Sequence, residues 1–240
     1  ALIAYLVRAQ LDAEEGYGRD SPNFGGWDLT GWMEGDRPTT GTNISVSSSV
    51  VEALARYSEH PDVADALEAA RLWVTRVRSE DGGYFFHPRR NHDGNKAGWN
   101  DEEERTSPRS YGSATADGLR LLVLLGTPVD DPELQATVSW LVEHDAWPQV
   151  AGFAHETEEE GTWANGLRYY YYQAMSRSLP LLPEEKADEL ARRIAEVLLD
   201  EQQEDGSWTN ENARMREDDP LIGTGFALIA LRNAQKWLEK

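Results

Sequence analysis

The sequence predicts an all-α protein, an α/α toroid (a barrel or a partial arc) formed as one domain over residues 1–240. Three observations predict it. Gly-aromatic turns recur along the chain, two classes of helix alternate between them, and short connections alternate with long ones.

The turns come first. In RIAEVLLDEQQEDGSW (193–208) an apolar helical stripe ends in Gln202-Gln203, and Asp205-Gly206-Ser207-Trp208 follows as a turn. The same shape appears in YLVRAQLDAEEGY (5–17), in LWVTRVRSEDGGY (72–84) and, more weakly, over 138–153. The spacing, about 55 to 70 residues, suits two helices and a loop. Glycine beyond a helix end accepts positive φ and stops the helix. The aromatic after it can fold back over the helix end, and a Gln side chain can bond orphaned backbone groups nearby.

The helices between the turns fall into two classes. Segments 43–58, 111–125, 163–179 and 221–234 are poor in charge in their first halves and rich in small residues. Segments 61–78 and 183–203 are amphipathic and charged, with Pro61 and Pro183 at their starts and acids in their first turns. Helices apolar on most faces belong inside and amphipathic ones outside. Short connections at 59–60, 126–130 and 180–182 lead from inner to outer helices. Long ones at 16–42, 81–110, 145–162 and 206–220 lead back, so the long loops and the inner-helix N-termini gather at one end.

Composition excludes several function classes. Twenty-three basic against 43 acidic residues leave a net charge of −20. That disfavours nucleic acid and anionic membrane surfaces, which need a cationic face. No apolar run is long enough to span a bilayer. The absence of cysteine removes disulfides, thiol nucleophiles and thiolate metal sites. The chain opens at Ala1 directly into a helical pattern, which reads as a domain preceded by a further segment. A soluble protein is expected, its compartment left open between cytoplasmic and exported after removal of a signal.

The turn 202–208 resembles the Gln-Trp repeat of the terpene cyclase and protein prenyltransferase superfamily of α/α toroids, and 223–231 (GTGFALIAL) resembles the helix that follows it there. Phe24-Gly25-Gly26-Trp27, Ser110-Tyr111-Gly112-Ser113 and the run from Gly166 to Tyr172 are similar to bacterial squalene-cyclase-like, prenyltransferase-repeat proteins of planctomycete type. The resemblance implies the toroid and an apolar, isoprenoid-type ligand. It does not carry over the chemistry. The Asp-x-Asp-Asp acid motif of the cyclases is absent, and Glu217-Asp218-Asp219-Pro220 reads better as a helix cap. The prenyltransferase zinc site uses a cysteine that this chain lacks.

Candidate functional residues lie at the loop end. Trp27, Trp32, Tyr84, Phe85, Phe86, Trp99, Trp147, Phe153 and Trp163 converge there from separate loops. They can wall a cavity and stabilise a developing carbocation through their ring faces, or they can plug the barrel end. Trp27, Trp32, Tyr84, Phe86, Tyr111, Thr115, Trp163, Tyr169 and Tyr170 are the expected ligand contacts. The run 169–172 encircles one helical turn, so one or two of its rings point inward and the rest wedge against neighbours.

Two residues are candidates for chemistry. Asp117 is the only acid in the charge-poor helix segment 111–125, where burial favours its neutral form and proton donation. A bond to a neighbouring helix is its other reading. His87 follows Tyr84-Phe85-Phe86 at the barrel mouth and could act as a base or a ligand contact. His87, His92 and Asp93 match no standard zinc spacing, so neither a metal nor a cofactor is expected. The alternatives to an isoprenoid-handling enzyme are a non-catalytic binding or interaction toroid and a carbohydrate-active α/α barrel.

Overall fold

The computed structural model describes residues 1–29, 41–153 and 163–240, and among these the regular structure is helical, with two isolated antiparallel bridges and no strand. The helices are α1 (Leu2–Arg8), α2 (Ile44–Ala55), α3 (Pro61–Val74), α4 (Gly112–Leu124), α5 (Pro132–Glu143), α6 (Arg168–Ser178), α7 (Glu184–Asp200) and α8 (Pro220–Leu238). None of them is long and apolar enough to cross a membrane.

The two helix classes separate only in part, since α2 buries five of its twelve residues and α3, expected outside, six of its fourteen. Ten of the thirteen residues of α4 are buried, and eight of the eleven of α6. α7 buries a single stripe, Ala187, Leu190, Ala191, Ile194 and Leu198, at helical spacing. α4 packs between α2 and α6, and α6 packs against α8. α8 departs from the expectation of an enclosed inner helix. It buries only Gly223, Ala227, Ala230 and Ala234, while Leu221 is 82% and Leu228 53% exposed. It packs on α6 and α7 through its small-residue stripe and ends the row.

The Gly-aromatic turns are one device used repeatedly. Gly25, Gly82 and Gly206 stop the chain with φ of +90°, +88° and +86°. The following aromatic donates its backbone N–H to a hydroxyl in a later helix: Trp27 to Ser47 in α2, Tyr84 to Thr115 in α4 and Trp208 to Thr224 in α8. The Trp27 and Trp208 indoles donate to the carbonyls of Leu6 and Leu198, each two residues before the end of its helix, α1 or α7. Each ring therefore satisfies one of the orphaned carbonyls of a helix C-terminus and ties two helices together. Gln10 likewise spans two elements, donating to the carbonyls of Gly25 and Ala66.

One alignment of the repeats is corrected. The sequence pairs the first helix with Gly16-Tyr17, but its functional turn is Gly25-Gly26-Trp27, since Leu11 N–H bonds the carbonyl of Gly26 as Ser79 N–H bonds that of Gly83. Gly16 has open space around it, whereas Gly25 lies against the carbonyl of Ala69 in α3. Close packing, which spacing does not reveal, separates the two.

Candidate functional site

The candidate site centres on Asp117, on α4. It is 5% exposed, and its Oδ2 accepts a 2.6 Å hydrogen bond from the phenol of Tyr170 on α6. Burial pushes its carboxyl up to about 6, against the opposing pull of the Tyr170 phenol, Arg120, Arg177 and the Ser45 hydroxyl. The Tyr170 ring stands edge-on to Phe226 of α8, with centroids 5.6 Å apart. Residues from α2, α4, α6 and α8 thus meet around one carboxyl.

The same helix faces continue as a charged network. Arg120 lies one turn beyond Asp117, and Glu52 and Arg177 lie two turns beyond Ser45 and Tyr170. Glu52 pairs with Arg120 and, at 3.8 Å, with Arg177.

Tyr170 is held by a second buried carboxylate. Glu217 is 0% exposed and accepts hydrogen bonds from the backbone N–H groups of Tyr169 (3.1 Å) and Tyr170 (2.8 Å) and from Asn210 Nδ2 (3.1 Å). α6 has no side-chain cap of its own, so Glu217 supplies one from the loop before α8. Burial raises the pKa of Glu217 above the ordinary glutamate value, and the N–H donors and the Asn210 amide oppose that shift. Asp219 caps α8 itself, accepting from Leu221 N–H, as the sequence predicts.

Lys96 is the residue that sequence reasoning misses. It is 7% exposed, and its Nζ lies 2.9 Å from the centroid of the Phe86 ring and 5.2 Å from that of Trp163. Burial depresses its pKa well below the ordinary lysine value, and the Asp117 carboxylate pulls the other way. The preceding residue anchors it. Asn95 accepts from His87 N–H and donates to the carbonyls of Arg89 and Arg90, which fixes the loop 87–96.

That loop explains His87. It is 1% exposed, its Nδ1 accepts from Arg89 N–H, and its ring stacks on His92 at 3.8 Å. Gly41 leaves the room that Nε2 occupies, since a Cβ there would stand 2.1 Å from it. His87 organises the segment that presents Lys96. Among the described residues no three His, Asp or Glu side chains gather as metal ligands. Asp93 pairs with Arg105 at 3.0 Å.

The remaining ligand candidates divide. Trp27 and Tyr84 sit in their turns, 1% and 0% exposed. Thr115 is spent on structure, donating to the carbonyl of Tyr111 and accepting from Tyr84 N–H. Tyr169 turns away from Asp117 and donates to the carbonyl of Thr209, while Tyr171 and Tyr172 pack against Trp147. Tyr111 is the N-terminal neighbour of α4, edge-on to Phe153, and its phenol is raised well above its ordinary pKa by burial and then by Asp117. Phe86 and Trp163 come together at Lys96, and Arg214 lies over Trp163 at 5.0 Å. Trp32 lies outside the described residues, as does the acidic run 156–160.

Space and chemistry do not coincide. A cavity of about 940 Å³ opens between α1 and α3, lined by Ile3, Val7, Gln10, Phe24, Val63 and Ala66 among others, but the Asp117 cluster is elsewhere. We place the site at Asp117, because convergent buried polar groups, and not volume, perform chemistry. Neither the protein-family models nor the curated proteins give a match to this chain.

Proposed function

We propose that the chain is an arc of α/α-toroid type, related to the squalene-cyclase and prenyltransferase-repeat proteins, and that the Asp117 centre holds an apolar, isoprenoid-type ligand. Asp117 acts there as a proton donor. The observation that carries this reading is a buried carboxyl with a pKa of about 6, bonded by Tyr170 and ringed by helices of the inner row. Such a group keeps its proton more readily than an ordinary aspartate and can deliver it to a double bond or a leaving oxygen. Phe226 and Tyr170, with Tyr111 nearby in charge terms, supply ring faces that stabilise positive charge as it develops.

A second reading has one observation in its favour. The Glu52–Arg120–Arg177 network makes the continuation of these helix faces polar, which suits a carbohydrate or another polar ligand, in an enzyme or a plain binding array. Native mass spectrometry of the purified chain and turnover of polyprene substrates followed by gas chromatography separate the two. The isoprenoid reading expects a retained lipid or a cyclised or hydrated product that disappears in Asp117→Asn. Oligosaccharide binding without lipid binding would sink it.

A further inference from the structure

Two apolar surfaces outside the Asp117 centre are open to solvent, and they are opposite in charge. The first is on α8. Leu221, Gly225, Leu228, Arg232 and Lys236 recur at helical spacing and are all exposed. Gly225 has open space where a side chain would stand, so a neighbour can approach the backbone between the two leucines. The helix is uncharged from Pro220 to Leu231 and cationic beyond, where Arg232, Lys236 and Lys240 accompany a single acid, Glu239. The second surface is the groove of about 940 Å³ between α1 and α3. Phe24, Val63 and Ala66 are buried in its lining, and Ile3 and Val7 are half-buried there. Its charged residues are mostly acids. Asp12, Glu14, Glu15, Asp62, Asp65 and Glu68 line it with only Arg8 and Arg19 against them, an excess of four negative charges with His60 neutral. α1 forms one wall of the groove although it buries none of its own residues. Exposed apolar surface rimmed by charge marks a place of contact.

We propose that this groove receives α8 of a second copy of the chain, in a head-to-tail contact that joins two different surfaces. The leucines of α8 lie on the apolar lining, and Arg232 and Lys236 meet the acids of α3 and of the segment after α1. Charge selects this pairing over the symmetric ones. Two parallel α8 helices set Arg232 and Lys236 against the same residues, and two antiparallel ones set them on the leucines. Neither arrangement supplies a counterion. Groove against groove opposes one excess of four negative charges to another. The net charge of −20 repels copies at long range. At physiological ionic strength that repulsion is screened beyond about 8 Å, whereas contacts at the groove act at shorter range. A contact between unlike surfaces leaves one α8 and one groove free in every dimer, so copies keep adding until a ring closes. The assembly is independent of the chemistry proposed at Asp117.

Sedimentation velocity of the purified chain in about 0.15 M salt tests the contact. The average mass should rise with concentration up to ~200 μM, the range of a weak protein–protein contact. Leu228→Glu disables α8, and the double substitution Asp65→Lys with Glu68→Lys disables the groove. All three residues are exposed, so circular dichroism should stay native. Each variant alone should self-associate at least about tenfold more weakly. Mixed together they should form a dimer that grows no further, because one brings an intact groove and the other an intact α8. A wild-type chain that stays monomeric at ~200 μM overturns the proposal. A dimer that survives in both variants also overturns it. Loss in only one variant marks a symmetric contact and overturns it as well. Binding of a synthetic Leu-Lys amphipathic helical peptide to a chain that remains monomeric would assign the groove to another protein's basic helix, and it too overturns the second copy.

Discussion

Asp117 and Glu217 are two buried carboxylates that grip the same residue from opposite sides. Glu217 holds the backbone of Tyr170, and Asp117 holds its phenol. Burial pushes both upward in pKa. They differ in what answers them. Glu217 faces two backbone N–H groups and an amide, donors that cannot leave, so its charge belongs to the structure of α6. Asp117 faces a phenol, a serine hydroxyl and more distant arginines, partners that can rotate or reorganise when a ligand arrives. The same chemical group is a helix cap in one place and a candidate acid in the other because of the donors that surround it.

Substitution should break this contrast unevenly. Glu217→Ala strands two N–H groups at the start of α6, each worth roughly 2 kcal/mol when buried and unbonded, so a loss of about 4 kcal/mol is expected in urea unfolding. A loss under about 1 kcal/mol would mean that α6 does not depend on this cap.

The pH dependence sharpens the other side. The folded-state pKa of Asp117 lies above its unfolded value, so the folded protein takes up the proton first and stability rises as pH falls. The gain begins near pH 6 and is complete below pH 4, worth up to about 3 kcal/mol for a shift from 3.8 to about 6. The difference between wild type and Asp117→Asn isolates it from the other acids. A flat difference between pH 7 and 4 would show that the carboxyl titrates normally.

Tyr170→Phe removes the donor that favours the ionised form, so the titration midpoint of Asp117 should move further up. The accompanying loss is about 1.5 kcal/mol, the net worth of a hydrogen bond to a charged group. A midpoint unchanged by NMR would make the Tyr170–Asp117 bond incidental. The smallest effect belongs to Asp117→Asn, whose amide can still accept from Tyr170. Stability at pH 7 should stay within about 1 kcal/mol of wild type, while proton-transfer turnover is lost. Destabilisation comparable to Glu217→Ala would place Asp117 among the structural acids and remove its catalytic role.

Much of this architecture was legible beforehand. Pro61 and Pro183, the Asn43 cap and the small-residue starts of 43–58 and 111–125 locate helices α2, α3, α4 and α7 to within a few residues. Asp117 stood out as the only acid in a charge-poor helix. Lys96 did not, although it is the only lysine before Lys186. A loop residue flanked by Asn95 and Ala97 has no periodicity to betray burial, and only the bonds of Asn95 and His87 turn it inward. Glu217 was hidden for a related reason. It looks like part of a cap for α8, yet the helix it caps lies 47 and 48 residues away in sequence.

The sequence by itself determined the turns, since a glycine at positive φ followed by an aromatic is a local instruction that repeats wherever the residues do. It also marked the burial of α4 and α6, because small and apolar residues on most faces leave little of either helix suited to water. The tertiary structure decided which glycine turn receives the next helix, why α8 keeps Leu221 and Leu228 exposed, and which carboxylate caps a helix backbone and which bonds a phenol. Those outcomes depend on donors and surfaces brought from distant segments. Desolvation and hydrogen bonding act through space, so residue type alone does not set the state of a buried charge.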